Sequence, residues 1–202
     1  MNPQFVLAVT GASGAAYALR LLDVLTAAAC DVHLTISPAA ALVLQQELGI
    51  QVDLDALDTS SLLEDQPREG RVSYYHHEDL MAPIASGSFL TNGMVICPCS
   101  GGTLSAVVHG ASTNLIHRAA EVQLKERRPL ILVPRETPLS TSQLANMHAA
   151  AQAGAVILPA MPGFYHGVNT VQDLVDFVVA RICDQLQIKN QLIKRWGQEE
   201  SS

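Results

Sequence analysis

Residues 5–30 read FVLAVT, then GASG, then AAYALRLLDVLTAAAC. A short apolar run, a glycine-bearing turn and a longer apolar pattern at helical spacing make one strand–turn–helix unit. Because the apolarity of the first run is continuous rather than alternating, both faces of its strand must be covered. The same pattern recurs along the chain. Residues 32–37, 94–97, 130–134 and 156–159 are short, almost uncharged runs rich in Val, Ile and Leu. Helical spacing occupies 15–29, 38–48, 103–109, 115–127, 140–153 and 170–186. Strand and helix alternate, which specifies a three-layer α/β fold: a doubly wound parallel sheet of flavodoxin-like or Rossmann-like type. Ser37-Pro38, with Gly49 beyond the last turn, marks both ends of one helix by a hydroxyl cap, a proline at the first position and a glycine stop. Residues 53–71 are polar and acidic and read as an excursion over the surface.

The 202 residues are 49% hydrophobic and 15% charged, enough for one well-filled domain over 1–187 and too apolar for disorder. Residues 188–202 form a tail whose Trp196, the only tryptophan, suggests docking on a neighbouring subunit. A net charge of -7 supplies no basic field for nucleic acid or anionic lipid. Thr10, Gly11, Ser13, Gly14, Arg20 and Asp23 interrupt the opening run, so it does not span a membrane, and no cleavable leader is evident. Cys30, Cys97, Cys99 and Cys183 lack redox or zinc spacing and read as reduced, buried thiols of a cytoplasmic protein. The histidines, His76-His77 and His166 among them, show no metal spacing, and no metal site is expected.

In an open parallel sheet, ligands bind beyond the carboxyl ends of the strands. Five strand ends supply that rim: Thr10 to Gly14, Ser37, Pro98 to Thr103, Arg135-Glu136, and Pro162 to His166. The first loop departs from GxGxxG and the second strand ends in Ser37 rather than an acid, which disfavours NAD. A glycine turn opening a helix still presents amides and a positive dipole end to a phosphate, or serves only as a tight turn. Ser37 and Ser100 read equally as ligand hydroxyls or as helix caps, and Arg135-Glu136 as ligands or a solvated pair. Arg118 and Lys125, seven apart, share a helix face while Arg127 and Arg128 point elsewhere; the face meets an anion or solvent. Arg181, among Phe177, Val178, Val179, Ile182 and Cys183, snorkels outward or pairs with an anion. Tyr165 packs on a neighbour or donates to a phosphate, and Glu47 faces solvent by default.

TGASG (10–14), ICPCSGGTLSAV (96–107), NLIHRAAEVQLKERRPLILVPRETPLS (114–140), LPAMPGFYH (158–166), DLVDFVVARI (173–182) and the KRWG tail together resemble the flavin prenyltransferases over nearly the whole chain. That resemblance implies a flavodoxin-like fold, a homo-oligomer that is typically a dodecamer, and transfer of a dimethylallyl group from dimethylallyl monophosphate to N5 and C6 of reduced FMN. The reaction would release phosphate without a metal, and prenylated FMN would pass to a separate decarboxylase of the ubiquinone or aromatic-acid type. Carried over by motif, Gly11, Ala12, Ser13, Ser37, Ser100, Thr103 and Arg135 match FMN contacts. Tyr165, Arg181, Arg118 and Lys125 match prenyl-phosphate ligands, some reaching across from a neighbouring subunit, and Ser13, Glu47 and Glu136 match catalytic positions. The chain departs at Leu80, where some relatives carry a tryptophan. Two other readings stand beside this one: an FMN-dependent cysteine-type decarboxylase, from which Thr137 to Ser140 departs, and a non-enzymatic flavin carrier.

Overall fold

The structure, a computed structural model, describes residues 2–63, 66, 68–195 and 197. The chain runs β1 (Gln4–Val9), α1 (Ala15–Ala27), β2 (Asp31–Ile36), α2 (Pro38–Leu48), β3 (Val72–Tyr74), β4 (Gly93–Cys99), α3 (Gly101–Val108), α4 (Leu115–Lys125), β5 (Leu130–Pro134), α5 (Thr141–Gln152), β6 (Val156–Ile157) and α6 (Val171–Gln185), with short 3-10 turns at Thr59–Leu62 and Pro83–Ala85. The strands form one sheet in the order β3-β2-β1-β4-β5-β6, every pairing parallel.

Phe5, Leu7 and Val9 point into one core with α1, α2 and α6, while Val6 and Ala8 point into a second core lined by α3, α4 and α5. An unbroken apolar run is thus two alternating sets, each buried under its own layer of helices. The expected helices are all present. Ser37 Oγ accepts from Ala40 N at 3.2 Å, and Gly49 closes α2 at φ 71°.

One strand escaped the sequence reading. β3 is three residues long at the sheet edge and only half-buried, so it carries no continuous apolar run. With β3 the strand order is that of a dinucleotide-binding fold; without it, the remaining five strands renumber to the flavodoxin order. Either way the order reverses between β1 and β4, and that switch point positions the site. The described residues of 53–71 do run over the surface, but Leu62 is buried and Tyr74 Oη donates to Leu54 O at 2.9 Å, so that part of the excursion is tied down. In the tail, Ile188 and Leu192 pack on the first core and Arg195 reaches Asp184 at 2.7 and 3.0 Å; Trp196 lies outside the described residues.

At the opposite, amino end of the sheet, Asp31 opens β2. It accepts from Arg71 N (3.0 Å), Asn2 Nδ2 (3.2 Å), Gln4 Nε2 (3.1 Å) and Arg71 Nη2 (3.3 Å). The Arg71 amide leads these donors in holding the carboxyl far below the usual carboxylate range, against the opposing effect of burial. A depressed native pKa adds stability above the unfolded value of about 3.9, and that stability fades as pH falls toward the native value. Asp31→Asn is therefore expected to lose about 1–3 kcal/mol at pH 7 in urea unfolding, with the gap to wild type narrowing below about pH 4.

Candidate active site

The loops after β1 and β4 meet at the switch point, and Thr10 joins them. Its Oγ1 donates to Pro98 O at 2.7 Å and accepts from Ser100 N at 2.8 Å. The pairing of β4 with β5 slips between Ile96 and Cys99, where Pro98 has no amide to give the ladder, and the chain then turns into α3. Ser100 Oγ caps α3 by accepting from Thr103 N at 3.3 Å and donates to Thr103 Oγ1 at 3.0 Å. A side chain built on Gly102 would meet nothing within 4 Å, so the first turn of α3 opens onto free space. A side chain on Gly11, by contrast, would lie 2.4 Å from Ala39 Cβ, because the first loop presses on the start of α2. That contact brings the Ser37 cap and the Gly11-Ala12-Ser13 segment together.

Gly14 lacks a side chain to cap α1, and its φ of 121° favours glycine. The cap comes from Glu47, at the far end of α2, whose carboxylate accepts from Gly14 N at 3.0 and 3.2 Å and from Ala15 N at 2.9 Å. Burial pushes the Glu47 carboxyl up, but the Ser13 hydroxyl, the Ala15 and Gly14 amides and the Arg135 charge together hold it below its ordinary value. Glu47 is exposed, as the default reading has it, and its carboxylate caps α1 as well. Arg135 Nε donates to Ser13 O at 3.1 Å. Glu136 turns onto its own loop, accepting from Thr137 N at 3.1 Å. Burial pushes the Cys99 thiol up to about 12 and that of Cys97 well above its usual range, so the C-P-C turn offers no thiolate at neutral pH.

The four residues matched to a prenyl phosphate fall into two pairs. Arg181 Nη1 donates to Asp184 Oδ2 at 2.8 Å and borders a cleft of about 270 Å³ with Leu158, Pro159, Met161 and Phe177. Tyr165 stands edge-on to Phe177 at 5.7 Å, on the same side of the molecule. Arg118 and Lys125 lie on α4, in the other helical layer. Arg118 Nε donates to Ala85 O at 3.2 Å, and Lys125, paired with Glu126, stands beside Gly87. Only residues 126–129 separate Lys125 from the start of β5, so it sits at the amino edge of the sheet, away from the rim. The two pairs do not converge within one chain. Arg128 also reaches the 87–89 segment, donating to Gly87 O and Phe89 O at 2.6 and 2.8 Å.

His76, His77 and Glu78 each place one potential metal donor atom within 4.8 Å of the others. Adjacency in sequence accounts for that, and His76 Nδ1 accepts from Glu78 N at 3.3 Å, which leaves the proton of the neutral ring on Nε2.

The Flavoprotein family model matches residues 1–183. Flavin prenyltransferase UbiX of Pseudomonas aeruginosa strain PAO1 is 52% identical over 198 residues, 97% of this chain and 95% of that protein. The chain belongs to the flavin prenyltransferase family. Among solved structures, AnUbiX (PadA1) in complex with FMN and dimethylallyl pyrophosphate superposes with a TM-score of 0.86 at 36% identity, covering 99% of this chain and 100% of that one. A dodecameric FMN-dependent UbiX-like decarboxylase from Escherichia coli O157:H7 gives 0.84 at 37% identity, with 97% and 100% covered. In this flavin prenyltransferase the sequence marks Thr10 as a break in the opening run and the start of a glycine loop, not as the residue that joins two loops; a hydroxyl at a strand end beside a neighbouring strand's turn is the signal for that role. Asp184 pairs with Arg181 at an i,i+3 spacing that the sequence carries, and with Arg195 from the tail, a contact only the folded chain makes.

Proposed function

We propose that this chain moves the dimethylallyl group of dimethylallyl monophosphate to N5 and C6 of reduced FMN, releasing phosphate without a metal. The observation that carries it is the switch-point cradle. Capping hydroxyls at Ser37, Ser100 and Thr103, the open first turn of α3 and the Arg135 guanidinium suit a phosphate-bearing flavin, and the Glu47–Ser13 pair stands beside them. FMN, when bound, supplies the nucleophilic ring that receives the allyl carbon. Gly11, Ala12 and Ser13 border the same cradle through the loop that Thr10 fixes.

Arg181 and Tyr165 of one chain and Arg118 and Lys125 of another hold the leaving phosphate, compensating the charge that develops as its ester bond breaks. Ser13 relays a proton to Glu47, and Glu136 serves the second proton release at ring closure. The chain assembles as a homo-oligomer, a dodecamer, and its product goes to a separate prenylated-FMN-dependent decarboxylase. A single domain over 1–187, a tail from 188 that packs on its own core through Ile188 and Leu192 before any part of it meets a neighbouring subunit, and a cytoplasmic location complete the reading. Among the described residues no helix is long and apolar enough to cross a membrane.

Incubation with reduced FMN and dimethylallyl monophosphate is expected to yield phosphate and a flavin heavier by one prenyl unit in mass spectra of the extract. A parallel reaction with the pyrophosphate ester tests which leaving group the site takes. An unchanged flavin mass with both donors overturns the proposal.

A further inference from the structure

The loop that carries Tyr165 is built around His166, to which no role has been attached so far. His166 Nε2 lies 3.1 Å from the carbonyl oxygen of Asp173, in the first turn of α6. A carbonyl only accepts, so Nε2 carries a proton and donates it, which leaves Nδ1 as the other ring nitrogen to be satisfied. That Nδ1 is buried and has no hydrogen-bond partner among the described residues. The arrangement leaves one buried ring nitrogen unsatisfied while it holds the other, a cost in stability that a positioning role would account for.

What it secures is the position of Tyr165. The imidazole stacks on Phe177, ring centres 5.2 Å apart and planes 26° from parallel, while the Tyr165 ring stands edge-on to both, 6.0 Å from His166 and 5.7 Å from Phe177. The loop has no slack on its inner side: a side chain on Gly163 would lie 2.9 Å from the Phe177 ring and 3.1 Å from that of Tyr165. Asp173 completes the fastening, its carboxylate accepting from Asn169 N at 2.8 Å and Thr170 N at 2.7 Å. Phe177 and Arg181 follow each other one turn apart on the same helix and border the same cleft. The ring contacts therefore tie the Tyr165 ring to the helix that carries Arg181.

We propose that His166 is a positioning residue for the allylic phosphate, acting through Tyr165. It rests on the proposed prenyl transfer, because Tyr165 and Arg181 are phosphate ligands only in that reading. His166→Ala is expected to raise the KM for dimethylallyl monophosphate about tenfold, with a smaller fall in kcat and FMN affinity within twofold of wild type. His166→Gln, which restores a donor to Asp173 O, recovers most of the loss. His166→Phe, which keeps the stack without the donor, recovers less. In a Tyr165→Phe background, His166→Ala is expected to add little further rise in KM.

Additive effects in that double variant, or an unchanged KM in both His166→Ala and His166→Gln, overturn the inference. A loss of FMN affinity parallel to the rise in KM overturns it as well, since it would mark general disorder of the fold. The underlying reading fails separately, if the wild-type protein forms no prenylated flavin.

Discussion

Arg118→Ala and Arg181→Ala, each slowed on the order of 100- to 1000-fold alone, are expected to regain about a quarter of the wild-type rate when the two chains are assembled together. The expectation follows from where the fold puts the two arginines. Arg181 lies on α6, over the core shared with α1 and α2, and Arg118 lies on α4, over the opposite face of the sheet. No rotamer change carries either one through the sheet between them. If both hold one phosphate, the site is shared between chains, and each site of a mixed assembly draws its two arginines independently. Half of the sites receive an intact Arg181, and half of those an intact Arg118, which sets the recovered fraction. Co-expression of differently tagged variants, purification through both tags and measurement of prenylated flavin formed per chain decides the matter. Mixed assemblies no faster than either variant alone would assign the two arginines to separate sites.

What was legible in the sequence divides along a physical line. The four longer strands, β1, β2, β4 and β5, announce themselves because burial on both faces demands apolar residues at consecutive positions, as Phe5 to Val9 show, and β6, only two half-buried residues, is legible from the apolar run 156–159. The helix starts at Ser37, Ser100, Ser140 and Thr170 are legible because an amide-accepting hydroxyl acts within three residues of itself. The rim loops follow from topology once the strands are known. Features that depend on distant partners are another matter. β3 earns its place only by pairing with β2, and Glu47 meets Gly14 and Ala15 from more than thirty positions away. That Arg118 and Arg181 lie on opposite faces follows from the order of crossovers, which periodicity does not report.

Glu47→Gln is expected to lower kcat by about 10²- to 10⁴-fold while leaving FMN affinity and thermal stability close to wild type. Glutamine fills the same volume and keeps one acceptor oxygen for the Gly14 and Ala15 amides, so the missing cap of α1 is still supplied. What it loses is the capacity to take a proton from Ser13. Glu47→Ala separates the two contributions, since it removes the cap as well and should cost about 1 kcal/mol of stability in addition. The carboxyl is held below its ordinary value, chiefly by the Ser13 hydroxyl and the two amides acting against burial. A group depressed in this way stays ionised at every pH above the usual carboxylate range, so Glu47 adds no acid limb to the wild-type rate between about pH 5 and 8. The variant should therefore be slower by the same factor across that window, its profile displaced downward without a change of shape. A carboxylate of reduced basicity is adequate here, because alkylation makes the departing proton acidic. If Glu47→Gln turns over within twofold of wild type, the proton leaves by another route, with Glu136 or the released phosphate as the remaining acceptors.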